Sequence, residues 1–257
     1  MAQLINLEAI YVMWLREMKR FFRAKSRIAG SLAMPFFFLA FLGTGFMNVR
    51  FSGMPPGVNY IDFLAPGVIG MILLFASLTA GISVLWDREF GFLKEIMVTP
   101  VSRVSIVLGR ILGGVSTALI QGILILLISI GMGSKIVGIF GVLSSLVFMV
   151  LISAGFVGLG IAIASRMKDI HGFSLIMNFV IMPIFLLSGA LFPLEGLPTW
   201  LITLAYIDPL TYGVDGLRGC LIGISHFNLL VDFLILLCFC IVMVGIGAYL
   251  FEKTEVD

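Results

Sequence analysis

The residues best able to do chemistry gather in one stretch, Trp86 to Arg103, WDREFGFLKEIMVTPVSR, where both signs of charge stand between two long apolar runs. Phe90, Leu93 and Met97 share one helical face, and Asp87, Arg88, Glu89, Lys94 and Glu95 leave the other side charged and solvated. Pro100 forces Thr99 out of helical geometry and ends the segment, after which Ser102 can cap the next helix. A segment of this kind makes and breaks no bonds. It suits either a loop helix resting on a membrane surface or a helix that inserts into a groove of a soluble partner.

Other chemistry is sparse. No GxxxxGK[ST] phosphate loop occurs, so any use of ATP must come from a partner. His171 and His226 stand far apart without HExxH or another ligand spacing, so no metal site is expected. Cys238 and Cys240 fall within an apolar run and Cys220 is alone, which gives neither a disulfide framework nor a CxxC zinc site.

These residues sit in a chain that is 60% hydrophobic and only 12% charged, with a mean hydropathy of +1.17. A soluble domain of that composition could not cover its core, so the chain belongs in a bilayer. The formal net charge of +2 is too small to suggest nucleic-acid binding. About 20 apolar residues are needed per spanning helix, and six stretches qualify: Ile28 to Met47, Tyr60 to Leu85, Val104 to Ile130, Gly138 to Ala164, Phe173 to Leu191 and Leu229 to Phe251.

With the N-terminus in the cytosol, Arg16, Lys19, Arg20, Arg23, Lys25, Arg27, Arg88, Lys94, Arg103, Arg110, Arg166, Lys168 and Lys253 lie inside, and Arg50, Lys135 and Arg218 lie outside. The positive-inside rule therefore places both termini in the cytoplasm. The middles of the spans are nearly free of ionisable residues. Asp62 and Asp232 fall near outer ends, and Arg110 is two turns from an inner end, where it can snorkel. This argues against an ion-coupled secondary transporter, and the absence of clustered acids or histidines argues against a membrane-embedded enzyme.

Before the first span, Leu4, Leu7, Tyr11, Trp14, Met18 and Phe21 form one apolar stripe, with Arg16, Arg20 and Arg23 off it. The spacing predicts an interfacial helix from Leu4 to Arg23 whose aromatic face meets the acyl boundary and whose arginines meet anionic membrane lipid. After the fifth span, the pieces Leu197 to Ile207 and Leu210 to Ile224 are each too short to cross and are split by Asp208 and Pro209, which predicts a re-entrant or interfacial hairpin. Pro193 and Pro198 introduce it, and Asp215 and Arg218, three apart, are expected to pair on a helix surface. Gly109 with Gly113 and Gly219 with Gly223 form GxxxG spacings, read as close packing within the subunit.

DREFGFLKEIMVTPVSR resembles the signature of ABC-type-2 permeases, the membrane subunits of ATP-binding-cassette exporters. FLAPGVIGMIL in the second span and SGALFPLEGLPTWLITLAYIDPLTYGVDGLRG after the fifth are similar to further stretches of that family, in the same order. The resemblance implies an all-α polytopic membrane protein: residues 1–27 an N-terminal interfacial helix, and 28–257 a six-span domain holding a cytoplasmic coupling helix at about 87–99 and an extracytoplasmic hairpin at about 192–228. It implies a permease dimer, of identical or paralogous copies, with two ABC ATPase subunits below, in a prokaryotic-type plasma membrane. No cofactor is expected in this chain; ATP and Mg²⁺ would sit on the partner. Carried over, the coupling residues are Glu89, Phe92, Leu93, Glu95 and Ile96, with the break at Thr99 and Pro100, and no residue is catalytic. Walls rich in Phe and Met suit a hydrophobic or amphipathic drug or lipid-like substrate moving outward. A polysaccharide or glycolipid cargo is the alternative.

Overall fold

A computed structural model describes residues 6–47, 49, 54, 57–91, 95, 101–167, 169–195 and 197–253. Helix α1 (Leu7–Arg23) starts where the Asn6 side chain accepts the amides of Glu8 and Ala9 at 3.0 and 3.2 Å, with Glu8 in its first turn and Arg20 and Arg23 in its last. Cap and charges both suit the helix dipole. Helix α2 (Lys25–Phe37) runs on through Pro35 into a π-helical stretch, Phe38–Gly43. Proline removes an amide donor and crowds the preceding turn, and a widened turn is one way for a helix to continue past it.

Helices α3 (Tyr60–Ala80) and α4 (Ile82–Glu89) form one span hinged at Gly81, followed by α5 (Arg103–Gly131), α6 (Ile139–Arg166), α7 (Ile170–Leu187), α8 (Thr199–Ile207), α9 (Pro209–Ile222) and α10 (Leu229–Glu252). Ser102 caps α5 as expected, accepting the Ser105 amide at 3.3 Å. Among the described residues six helical stretches are long and apolar enough to cross a membrane: Lys25–Gly43, Tyr60–Glu89, Arg103–Gly131, Ile139–Arg166, Ile170–Leu187 and Leu229–Glu252. These are the six spans of the sequence. The second extends one turn past Leu85, so Asp87 to Glu89, expected in a separate solvated helix, are the end of a span.

The spans are not equally enclosed. In the most apolar stretch of the second and fourth, 67% of residues are buried, against 17%, 22% and 11% for the first, fifth and sixth. The core is thus α3, α5 and α6, and α2, α7 and α10 present most of their side chains outward. Close approach depends on glycine. A Cβ on Gly247 of α10 would lie 2.7 Å from the Gly158 carbonyl oxygen of α6, and one on Gly158 would lie 2.7 Å from the backbone of Met243. The backbones touch with no room for a methyl group.

Between the fifth and sixth spans, contacts fix the depth of α9 in the pair of short helices α8 and α9. A Cβ on Gly213 would meet Ile152 at 2.7 Å, one on Gly216 would meet Phe148 at 2.1 Å, and one on Gly141 would meet the Cys220 carbonyl oxygen at 2.2 Å. Helix α9 therefore runs antiparallel to α6, from the level of its midpoint to near its start, and Val214 reaches Gly70, ten residues into the second span. Its two arms differ: most of α9 is buried, whereas α8 leaves Trp200 and Ile207 63% and 73% exposed.

The turn between them closes its own backbone. Asp208 accepts the Leu210 amide at 2.9 Å with Pro209 at the first helical position, and Thr211 and Tyr212 donate hydroxyls to the Ala205 and Tyr206 carbonyls, each at 2.7 Å. Carbonyls left open at the end of α8 are satisfied without water. Pro193 is half-buried in the preceding turn and the exposed Pro198 caps α8.

The expected surface pair of Asp215 and Arg218 does not form. Both are buried, and they point to different partners. Asp215 accepts the backbone amides of His226 and Phe227 at 2.8 to 2.9 Å, holding the loop before α10, and Arg218 donates to the Gly189 carbonyl at 3.0 Å and lies 3.8 Å over the Phe63 ring. Backbone groups and a π face compete successfully for charges enclosed in protein.

Two outcomes follow from this packing, both measured as thermal midpoints in detergent. Gly247→Ala should destabilise by about 1–3 kcal/mol through overpacking, whereas Gly245→Ala, with nothing within 4 Å of its Cβ position, should be neutral or slightly stabilising. Asp208→Ala should lose about 1 kcal/mol of capping, and Asp208→Asn, which can still accept the Leu210 amide, should retain most of it.

Candidate functional site

At the end of the second span, α4 is stopped by Gly91 at φ +72°, the left-handed conformation that ends many helices. The residues from here to Val101 continue the charged island that begins at Trp86. Of its expected coupling residues, Glu89 is the exposed last residue of α4 and Glu95 is exposed, while Phe92, Leu93, Ile96, Thr99 and Pro100 lie outside the described residues.

At the start of the island, one turn before Gly91, Asp87 is only 4% exposed and lies between two guanidinium groups. Arg16 of α1 reaches both of its oxygens, with Nη1 3.0 Å from Oδ2, and Arg110 of α5 donates through Nη2 to Oδ2 at 2.5 Å. Arg110 also reaches Ser83 Oγ at 3.4 Å and is 2% exposed. The expected snorkelling of Arg110 is thus corrected: a partner within reach inside the bundle makes extension to solvent unnecessary. The expected solvation of Asp87 is corrected for the same reason.

Neighbouring contacts tie the rest of this end together. The guanidinium groups of Arg20 and Arg27 lie 5.1 and 5.4 Å from the Trp86 ring centre, and Arg88 donates to the Met167 carbonyl at 2.9 Å. Arg103 donates to the Glu252 carbonyl at the end of α10. Six arginines so link α1, α2, α5, the end of α6 and α10 to the end of the second span or to one another.

Helix α1 is seated by the glycine pair of α5. A Cβ on Gly109 would lie 2.6 Å from Met13 Cβ, and one on Gly113 would lie 2.6 Å from Glu17 Cβ. The Asn6 amide donates to Ser105 Oγ at 2.8 Å and the Trp14 indole to Ser116 Oγ at 3.0 Å. Contacts advance along both helices in the same direction, so α1 lies alongside the first three turns of α5. The face it gives to protein is Ile10, Met13 and Glu17, not the predicted stripe, of which Leu7 and Tyr11 are 77% and 58% exposed. Phe21 is half-buried and Arg23 exposed. The reading of Gly109 and Gly113 as packing within the subunit agrees with this seat; Gly219 packs on Leu229, and Gly223, at φ +74°, ends α9.

Sequence reasoning missed the pairing at Asp87. Its signal was Arg110, a cation deep in an apolar run, but the two residues are separated by the island and share no local spacing.

Comparison with known proteins bears on the same region. Residues 8–222 match the family model described as ABC-2 type transporter. The chain is 28% identical over 236 residues to the inner membrane transport permease YadH of Escherichia coli strain K12, covering 90% of each protein. It is 27% identical over 197 residues to the putative transport permease ycf38 of Porphyra purpurea, covering 76% of this chain and 68% of the relative. It is 29% identical over 207 residues to ABC transporter G family member 20 of Dictyostelium discoideum, of which it spans only 28%.

Removing Asp87 leaves two cations facing each other, one of them fully buried. Asp87→Ala should cost about 3–5 kcal/mol, as breaking one side of a buried pair does. Adding Arg110→Met to that variant should recover much of the loss, which a thermal unfolding series on the single and double variants measures.

Proposed function

The chain belongs to the ABC-2 type transporter family as a multi-pass transport permease, and from that premise we propose that it is the membrane subunit of an ATP-driven exporter whose charged island docks on an ABC ATPase. The observation that supports this reading is the ion triad. Asp87 stands at the start of the island and binds Arg16 of α1 and Arg110 of α5, so a push on the island would move three helices as one body. The proposed docking residues are Glu89, Phe92, Leu93, Glu95 and Ile96, ended by Thr99 and Pro100. Phe92 and Ile96, four apart, present one ridge to a groove.

Two ATPase copies, carrying ATP and Mg²⁺, would bind a pair of permeases, identical or paralogous. The outward-facing apolar side chains of the first and fifth spans, among them Phe37 and Phe41 and Leu175 and Phe179, offer the surface for that pairing. The positive charge count supports cytoplasmic termini in a prokaryotic-type plasma membrane. The hairpin tip at Asp208 and Pro209 would then dip from the outer face toward the middle of the bilayer. The apolar walls suit a drug or lipid-like amphiphile; outward transport rests on resemblance to exporter permeases. A polysaccharide or glycolipid cargo is the alternative within the same family.

Phe92→Ala and Ile96→Ala should each weaken ATPase binding by about 1–2 kcal/mol, the usual cost of a buried anchor. Glu89→Lys should chiefly disturb docking orientation. Membrane insertion should stay normal, the ATPase should be lost on affinity purification, and substrate should no longer stimulate ATP hydrolysis. Full ATPase recovery and export in all three variants would reduce the island to a surface loop.

A further inference from the structure

A cavity of about 490 Å³ lies between α1, α2, α3, α4 and α5, directly above the ion triad. Arg20, Arg27 and Arg110 line its charged end against a single acid, Glu17. Its walls farther in are Met34, Pro35, Met71, Ile72 and Phe75. Gly30 and Met34, on the outward side of α2, are exposed, so the rim opens where lipid surrounds the helix.

The charges at this end do not balance. Arg20 has Glu17 at 3.4 Å, and Arg27 stacks on Trp86 with no acid paired to it among the described residues. Arg110 is 2% exposed and its two terminal nitrogens go to Asp87 and Ser83, but its Nε is buried and has no hydrogen-bond partner. With Arg110 already paired to Asp87, the two guanidinium groups of Arg20 and Arg27 over the one carboxylate of Glu17 leave an excess of positive charge at the cavity mouth. Planar guanidinium forks are suited to phosphate oxygens. An apolar slot of this volume beside a few polar groups fits one hydrocarbon chain and a headgroup.

We propose that this cavity binds an anionic phospholipid from the leaflet at the charged ends of the spans, its phosphate on Arg20, Arg27 and Arg110 and one acyl chain between α2 and α3. The assignment is independent of transport direction and of ATPase docking. The lipid would complete the wall between the loosely packed first span and the core, holding α2 where protein contacts alone are few.

Trp86, stacked behind Arg20 and Arg27, is a built-in reporter. A Trp14→Phe, Trp200→Phe protein, reconstituted in nanodiscs with acyl-brominated phosphatidylglycerol or acyl-brominated phosphatidylcholine, should show Trp86 fluorescence quenched by the anionic lipid at several-fold lower mole fraction. Arg20→Gln with Arg27→Gln should bring the two lipids level. Ala76→Phe fills the cavity without touching a charge and should also remove the preference, which distinguishes a bound lipid from a loose anionic shell. Equal quenching by both lipids in the starting protein, or an unchanged preference in either variant, overturns the proposal. So does loss of the preference on adding inorganic phosphate, which would make the site one for free anions.

Discussion

A carboxylate enclosed in an apolar bundle must be neutralised where it stands, and the charged end of this protein is organised around that requirement at Asp87. Two guanidinium groups from helices distant in sequence converge on it, and each is held in turn by glycine-mediated backbone contact or a hydroxyl. The arrangement joins the N-terminal helix, the end of the second span and the start of the third. Without Asp87, α1 would keep its glycine seat and the contact of Arg20 with Trp86 but lose its ion pair to the second span, and Arg110 would be a buried cation left with Ser83 and the Phe251 ring. A buried ion arrangement of this kind adds little net stability compared with apolar packing; what it supplies is a defined register between elements.

The rest of the bundle divides by how it meets its surroundings. The second, third and fourth spans pack as a core through glycine contacts, and the first, fifth and sixth are laid around it with most of their side chains outward. In a bilayer, lipid tails are as apolar as leucine, so such faces carry little cost until a better-packed partner meets them. The π-helical stretch after Pro35 is the better enclosed part of the first span, with Leu39 and Gly43 buried, whereas the part before it, which lines the cavity, has only Pro35 buried. The pair α8 and α9 is the reverse case: short, broken by proline, yet buried along α9, with its free backbone groups closed by Asp208, Thr211 and Tyr212.

Much of this was legible in the sequence because the bilayer imposes a simple length rule. All six spans, the Ser102 cap, the break at Asp208 and Pro209 and the use of Gly109 and Gly113 within the subunit could be read from local patterns. Pairings between distant segments could not. Asp215 with Arg218 looked like a pair by spacing, but spacing on one helix says nothing of the backbone amides of His226 and Phe227 that a folded loop presents. Arg110 was visible as an anomaly and its partner was not. For α1, amphipathic periodicity located the helix but not which of its sides faces protein, since Leu7, Tyr11, Ile10 and Met13 are all apolar.

The seat of α1 also sets an order of assembly during synthesis. Asn6 bonds to Ser105 and Trp14 to Ser116, 99 and 102 residues later in the chain. At about 5–20 residues per second, the ribosome needs roughly 5–20 seconds to make that stretch. Throughout that interval α1 has no groove to occupy, and two further membrane helices must be inserted first. Leu7, Tyr11 and Phe22 stay exposed even on the docked helix, so the groove of α5 is needed for its other face alone. Helix α1 is therefore made well before the groove it occupies and is docked late.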